Sequence, residues 1–165
     1  MKITRRTTLL GSLAAILSGC ASKFRSYNGP EVTRIAVFKN SRKMYLIHQD
    51  TPLRAFNIDL GFAPVGDKKI SGDGKTPEGE YVIDRRNPDS KYHLSVGINY
   101  PNEKDIAEAE KLGEEPGGDI FIHGRGNLLS RWKPDWTWGC IAVTNDEIED
   151  IYAMVNDGTP ISIYR

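Results

Sequence analysis

The fold class this sequence predicts is mainly β: a sandwich or flattened barrel with one or two short helices at an edge. Three observations carry it. Segments with an apolar residue at every second position outnumber segments with helical spacing. No strand–helix–strand alternation of the doubly wound kind runs along the chain. Only one stretch near the C-terminus, with Ile148, Ile151, Tyr152 and Val155 at i, i+3, i+4 and i+7, has the period of a well-formed amphipathic helix.

The elements are taken in chain order. Residues 1–19 read as a secretory signal, with Lys2, Arg5 and Arg6 ahead of an apolar run at 9–17. That run is too short to span a bilayer, which takes about 20 residues. Leu17-Ser18-Gly19-Cys20 is similar to a bacterial lipobox, which makes Cys20 the expected lipidated first residue of the mature chain. Arg5-Arg6 leaves twin-arginine export open beside the general route, although Thr8 stands where a bulkier apolar residue is usual. Residues 20–31 are polar and turn-rich and are expected to be a tether. Residues 32–165 then form one catalytic-size domain, in keeping with a mature length of 146 residues. Strands are predicted at 33–39 and 43–48 around a turn at 40–42. Phe56, Ile58 and Leu60 alternate with polar or small neighbours, and Tyr92, Leu94, Val96 and Ile98 repeat the pattern. Further strands are expected at 79–84, 120–123, 141–143 and 161–164. A helix at 146–156 has a Thr144-x-x-Glu147 capping box and Gly158 as its stop, and a shorter polar helix covers 105–112.

Charge and motif content exclude several functions. The mature chain carries 19 basic and 22 acidic residues, with no basic stripe, so no nucleic-acid partner is expected. The three histidines, His48, His93 and His123, lie 45 and 30 residues apart. That spacing lacks the short pairs of a zinc hydrolase, so no metal and no cofactor are expected. Gly72-Asp73-Gly74-Lys75-Thr76 is not a phosphate loop, because position 69 is Lys where the motif needs Gly.

One pairing carries chemistry. His123 stands 17 residues ahead of Cys140. A thiol is mostly protonated near neutral pH and needs a base to become a nucleophile. Ile120 and Ile122 share one strand face, so His123 points to the other, at a strand end beside a long loop. Cys140 opens a short strand of its own, with Gly139 before it relaxing the backbone. Neighbouring strands can thus present the base and the nucleophile across a cleft, with a thiol pKa expected below the free value of about 8.5. The bland alternatives are a buried structural thiol for Cys140 and a hydrogen-bonded strand histidine for His123. His48 and His93 read as structural residues on polar strand faces.

Ile122-His123-Gly124 … Thr137-Trp138-Gly139-Cys140-Ile141 resembles the active-site signature of the L,D-transpeptidase catalytic domain (YkuD) family, in its YafK-like subgroup. Asp73-Gly74-Lys75-Thr76-Pro77-Glu78-Gly79 looks like the turn that family places before a core strand, and the resemblance runs from about residue 34 to 164. It implies that Cys140 attacks the third residue of a peptidoglycan stem peptide to form a thioester, with His123 as base and the Gly124 carbonyl orienting the imidazole. Backbone N–H groups of Gly139 and Cys140 are the oxyanion candidates. Arg125, Thr137, Trp138 and Lys75 are the substrate-binding candidates, in a cleft expected between the loops at 61–77 and 124–137.

Two departures bear on the acceptor. Trp138 stands where many members have histidine, and Ala142 where many have arginine. Arg125 and Arg131 could compensate for the missing cation. The Trp-Gly-Cys-Ile-Ala-Val-Thr-Asn version is similar to a subgroup that includes a hydrolase detaching lipoprotein from peptidoglycan. The expected activity is therefore transpeptidation in cell wall biogenesis, with hydrolysis of the same thioester as the alternative and a non-catalytic envelope lipoprotein behind both. Stem peptides, an envelope lipoprotein and the membrane through the lipid on Cys20 are the expected partners. With no Asp at position 21, the expected location is the outer membrane of a diderm, facing the periplasm.

Overall fold

The computed structural model describes residues 22–126 and 133–165. The expected signal segment, Cys20, Arg131 and Trp132 lie outside the described residues. β1 (Arg34–Phe38) and β2 (Lys43–His48) form the expected hairpin, with Phe38 opposite Lys43. β3 (Thr51–Asn57) returns along β2. Its exposed Thr51, Pro52 and Arg54 suit an outer strand, where Pro52 leaves no inward ladder position without a donor. β8 (Pro160–Tyr164) runs parallel to β1 on its other side, so Ile35, Ala36 and Val37 are all buried. That explains why β1 is a continuous apolar run and not an alternating one.

β4 (Gly79–Asn87) joins two halves of the sheet. Its first four residues pair with β8, and from Ile83 it pairs with β5 (Ser95–Ile98), with the register shifting between Ile83 and Arg85. A bulge of this kind bends a strand and re-aims the residues beyond it. β6 (Phe121–His123) lies antiparallel to β5, and β7 (Ile141–Ala142) lies parallel to β6. The sheet order is thus β3-β2-β1-β8-β4-β5-β6-β7. Its two ends meet: beyond β3, Asp59 bridges Ala142 through N–H···O bonds of 2.9 and 2.8 Å, and Gly61 bridges Thr137. The result is the flattened, mainly β half-barrel that the alternation predicts.

Two helices complete it. α1 (Glu103–Lys111) begins two residues before its expected start, because Asn102 and Asp105 cap each other reciprocally. α2 (Asn145–Met154) has the predicted Thr144–Glu147 capping box and packs on β5 and β6 through Ile148 and Ile151. It stops earlier than expected. Val155 is already extended, and Gly158 instead takes φ +88° in the following turn, where its N–H donates to Ile83 O at 2.7 Å.

The segment expected to be a tether is not free. Lys23 donates to Pro88 O, and Arg25 pairs with Glu149 and Asp150 of α2, so residues 22–27 lie along the domain.

Candidate active site

β6 and β7 set the geometry. Their register places His123 beside Ala142 and Ile122 beside Ile141. Ile120 and Ile122 are buried in the core, while Phe121 and His123 face a cleft of about 460 Å³ that Cys140 also lines. The register continued back one residue sets Cys140 beside Phe121, two residues from His123 on the same face. Diagonal cross-strand neighbours of this kind sit ~7–8 Å apart, a gap that an imidazole and a thiol can close between them.

The imidazole is held on every side and is only 3% exposed. Its Nδ1 lies 2.6 Å from Gly124 O. A carbonyl only accepts, so Nδ1 carries a proton, and in the neutral ring the lone pair lies on Nε2. The Tyr92 ring stacks on His123 with centroids 4.4 Å apart, and Trp136 meets it edge-on at 5.6 Å. Gly124 has no room for a side chain: a Cβ there would lie 2.7 Å from Tyr92 O and 2.8 Å from Asn145 Oδ1. That Oδ1 also accepts the N–H groups of Arg125 and Gly126, both at 2.9 Å, and so fastens the chain as it leaves β6.

Cys140 sits on a tightly bonded turn. Thr137 Oγ1 donates to Cys140 O at 2.7 Å and accepts the Gly139 N–H at 3.1 Å. Gly139 takes φ +125°, and a Cβ on it would fall 2.6 Å from Lys75 O, so only glycine fits there. The thiol donates to Asp119 O at 3.4 Å. Burial pushes its pKa above the ordinary value. The neighbouring Asp119 charge adds to this, while the Phe121 N–H, Lys68 and Arg85 favour the thiolate less strongly. The direction is thus opposite to the expected lowering, and burial of the sulfur at the cleft wall is the main cause.

The remaining candidates divide. Gly139's N–H is committed to Thr137, which leaves the Cys140 N–H as the oxyanion candidate nearer the cleft. Thr137 is buried and serves the turn. Arg125 forms an ion pair with Asp59 and does not line the cleft. Lys75 lies on the far side of Gly139. Trp138 is 72% exposed and meets the half-exposed ring of Phe62 edge-on at 4.9 Å. His93 leaves the ladder with φ +82° and contacts Glu149 at 2.7 Å, and His48 contacts Glu31 O, so both are structural but only His48 lies on a strand.

The cleft wall itself differs from expectation. Asn87, Asp89, Ser90, Lys91, Tyr92 and Ser95 line it beside Cys140, from the β4–β5 connection, while residues 127–132 of the expected second loop lie outside the described residues. The only hint in the sequence is that Tyr92 leads an alternating run. Among the described residues, no three His, Cys, Asp or Glu side chains converge on a metal-sized site.

A bent, mainly β half-barrel thus brings Cys140 and the carbonyl-bonded His123 to the wall of one cleft. The L,D-transpeptidase catalytic domain family, YkuD, matches residues 32–163, and the chain belongs to it. It is 31% identical over 127 residues to the Escherichia coli protein named "Putative L,D-transpeptidase YafK", covering 73% of this chain and 46% of that one. In structure it is similar to the helical cell shape determining protein Pgp2 of Campylobacter jejuni, with TM-score 0.63, 26% identity, and 83% and 49% of the two chains covered. Bd1075 of Bdellovibrio bacteriovorus gives TM-score 0.58 at 28% identity, over 81% and 48%. The chain therefore spans about half the length of these relatives.

Proposed function

We propose that this chain is a peptidoglycan acyltransferase in which Cys140 is the nucleophile and His123 the base. Family membership supports L,D-transpeptidase activity on stem peptides. The observation that carries the residue roles is the Nδ1–H···O bond to Gly124, which fixes the tautomer able to take the thiol proton at Nε2. Because burial favours the neutral thiol, proton transfer accompanies attack instead of preceding it. Cys140 Sγ bonds to the substrate carbonyl carbon, the proton passes through His123 to the leaving amine, and a thioester results. The Cys140 N–H stabilises the oxyanion. An amine acceptor then takes the acyl group.

Hydrolysis of that thioester is the second reading. The position where many family members carry arginine is the fully buried Ala142, whose backbone bridges Asp59, so no cation stands there to hold an acceptor carboxylate. Exposed Trp138 and Phe62 form an aromatic corner on the chain that leads into Cys140. The reading includes envelope attachment through a lipid on Cys20, with the outer membrane as the site and cell fractionation as its check.

The test is product analysis with stem-peptide monomers and dimers. Cys140→Ala abolishes both transfer and hydrolysis and leaves circular dichroism unchanged. In the wild type, alkylation of Cys140 climbs through pH values above an ordinary thiol's ~8.5. Turnover by the alanine variant overturns the residue roles, whereas a thiolate plateau near neutrality overturns only the order of proton transfer and attack.

A further inference from the structure

The segment ahead of β1 touches the active-site wall. Lys23 Nζ donates to Pro88 O at 2.6 Å and to His93 O at 3.2 Å, which are the two ends of the turn whose middle lines the cleft. One ammonium thus ties both feet of the loop. The turn has few bonds of its own: His93 N to Ser90 O at 3.1 Å, Tyr92 N to Ser90 Oγ at 3.2 Å, and Asp89 N to Asn87 Oδ1 at 2.9 Å. Tyr92 then touches the site twice. Its ring stacks on His123, and its carbonyl lies against Cα of Gly124, the residue whose oxygen holds Nδ1.

Lys23 is itself anchored away from the cleft. Arg25 bonds Glu149 at 2.9 Å and Asp150 at 2.6 Å on α2, and the Phe24 ring lies 6.2 Å from Tyr152. From the other side, His93 contacts Glu149 at 2.7 Å. The strap and the turn therefore share α2 as a base, and displacement of one is felt by the other.

We propose that Lys23 is a positioning residue for the His123–Cys140 pair, holding closed the turn that presents Tyr92 to the imidazole. This rests on the base and nucleophile roles proposed for that pair. Lys23 touches neither ring nor thiol and acts through the turn. Loss of its two bonds lets the turn open, Tyr92 unstack, and His123 sample orientations in which Nε2 no longer faces the cleft that Cys140 lines.

The test uses the full chain and iodoacetamide, a neutral reagent with no use for the cleft's charges, with modification of the Cys140 peptide followed by mass spectrometry. Lys23→Met slows alkylation at pH 7 by about fivefold, what one net hydrogen bond of ordinary strength produces. Lys23→Arg restores the rate, and Arg25→Gln, which frees the strap without touching the turn, gives a smaller slowing. Amide exchange at Tyr92 and His93 quickens in Lys23→Met. A wild-type rate in Lys23→Met, in a background where His123→Ala is slow, overturns the positioning role. If His123→Ala is also unchanged, the base role fails and the positioning role falls with it.

Discussion

Two loops flank Cys140, and they are held in opposite ways. The loop at 61–78 is locked through its backbone. Lys39, only 1% exposed, donates to Thr76 O at 2.7 Å and to Glu78 at 3.0 Å, and also bonds Gly66 O. Asp73 accepts from Lys68 Nζ at 3.0 Å and from the N–H groups of Lys69, Ile70 and Lys75. Burial pushes the Asp73 carboxyl up, but these donors outweigh it and hold its pKa below the usual range. The turn at 88–93 is held from outside, by Lys23 and, through His93, by Glu149 of α2. One loop is a buttress pressed on Gly139, and the other is the working wall of the cleft. Lysines alone do not mark a substrate loop: in the first, Lys68 and Lys69 are spent on the protein's own carbonyls and carboxylates.

The largest expected effect breaks the buttress. Lys39→Ala removes the partner of two backbone carbonyls and opens a cavity in the core. Urea unfolding should show a loss of about 3 kcal/mol. Lys39→Met, which refills the volume and removes a desolvated charge, should lose less, since burial already disfavours the charged form and lowers the Lys39 pKa. Equal losses for both variants would mean that volume does not matter at this site, and that the carbonyl contacts alone hold the loop.

The wall should respond in rate more than in stability. Tyr92→Ala removes the stacked ring from His123 and should lower kcat about tenfold, with KM and the urea midpoint little changed. Tyr92→Phe keeps the ring and should keep most of the rate. A shift confined to KM would make Tyr92 a substrate contact and not an imidazole support.

Much of the barrel is legible in the sequence because alternation and capping are local. β1, β2, β8 and the Thr144–Glu147 box need only neighbouring residues to be read, and the opposed faces of Ile122 and His123 come from strand period alone. Features that depend on distant partners are not legible in this way. Arg25 meets Glu149 across 124 residues of chain, and Arg125 meets Asp59 across 66. A polar, aperiodic segment such as 22–31 gives no sign of such pairing. Alternation groups Tyr92 with the buried face of Leu94 and Val96. The positive φ at His93 breaks the ladder before it, so Tyr92 turns to the imidazole instead. The thiol pKa direction escapes the sequence for a related reason: polar sequence neighbours do not report how far the fold shields Sγ from water.

The smallest expected effect sharpens the same contrast between spent and working charges. Arg125 lies next to the end of β6, and sequence alone offers it as a candidate for a substrate carboxylate. Its guanidinium pairs instead with Asp59, on the segment that closes the barrel against Ala142. The pair is about one-third exposed on the arginine side, so solvent screens it and its contribution is below ~1 kcal/mol. Arg125→Ala should therefore lower the urea midpoint slightly, leave KM for stem peptide within twofold, and be reproduced by Asp59→Asn. Combining the two changes should cost little more than either alone, because both delete one interaction. A severalfold rise in KM for Arg125→Ala with no counterpart in Asp59→Asn would return Arg125 to the substrate, and the cleft would then extend past β6 toward the chain at 124–126.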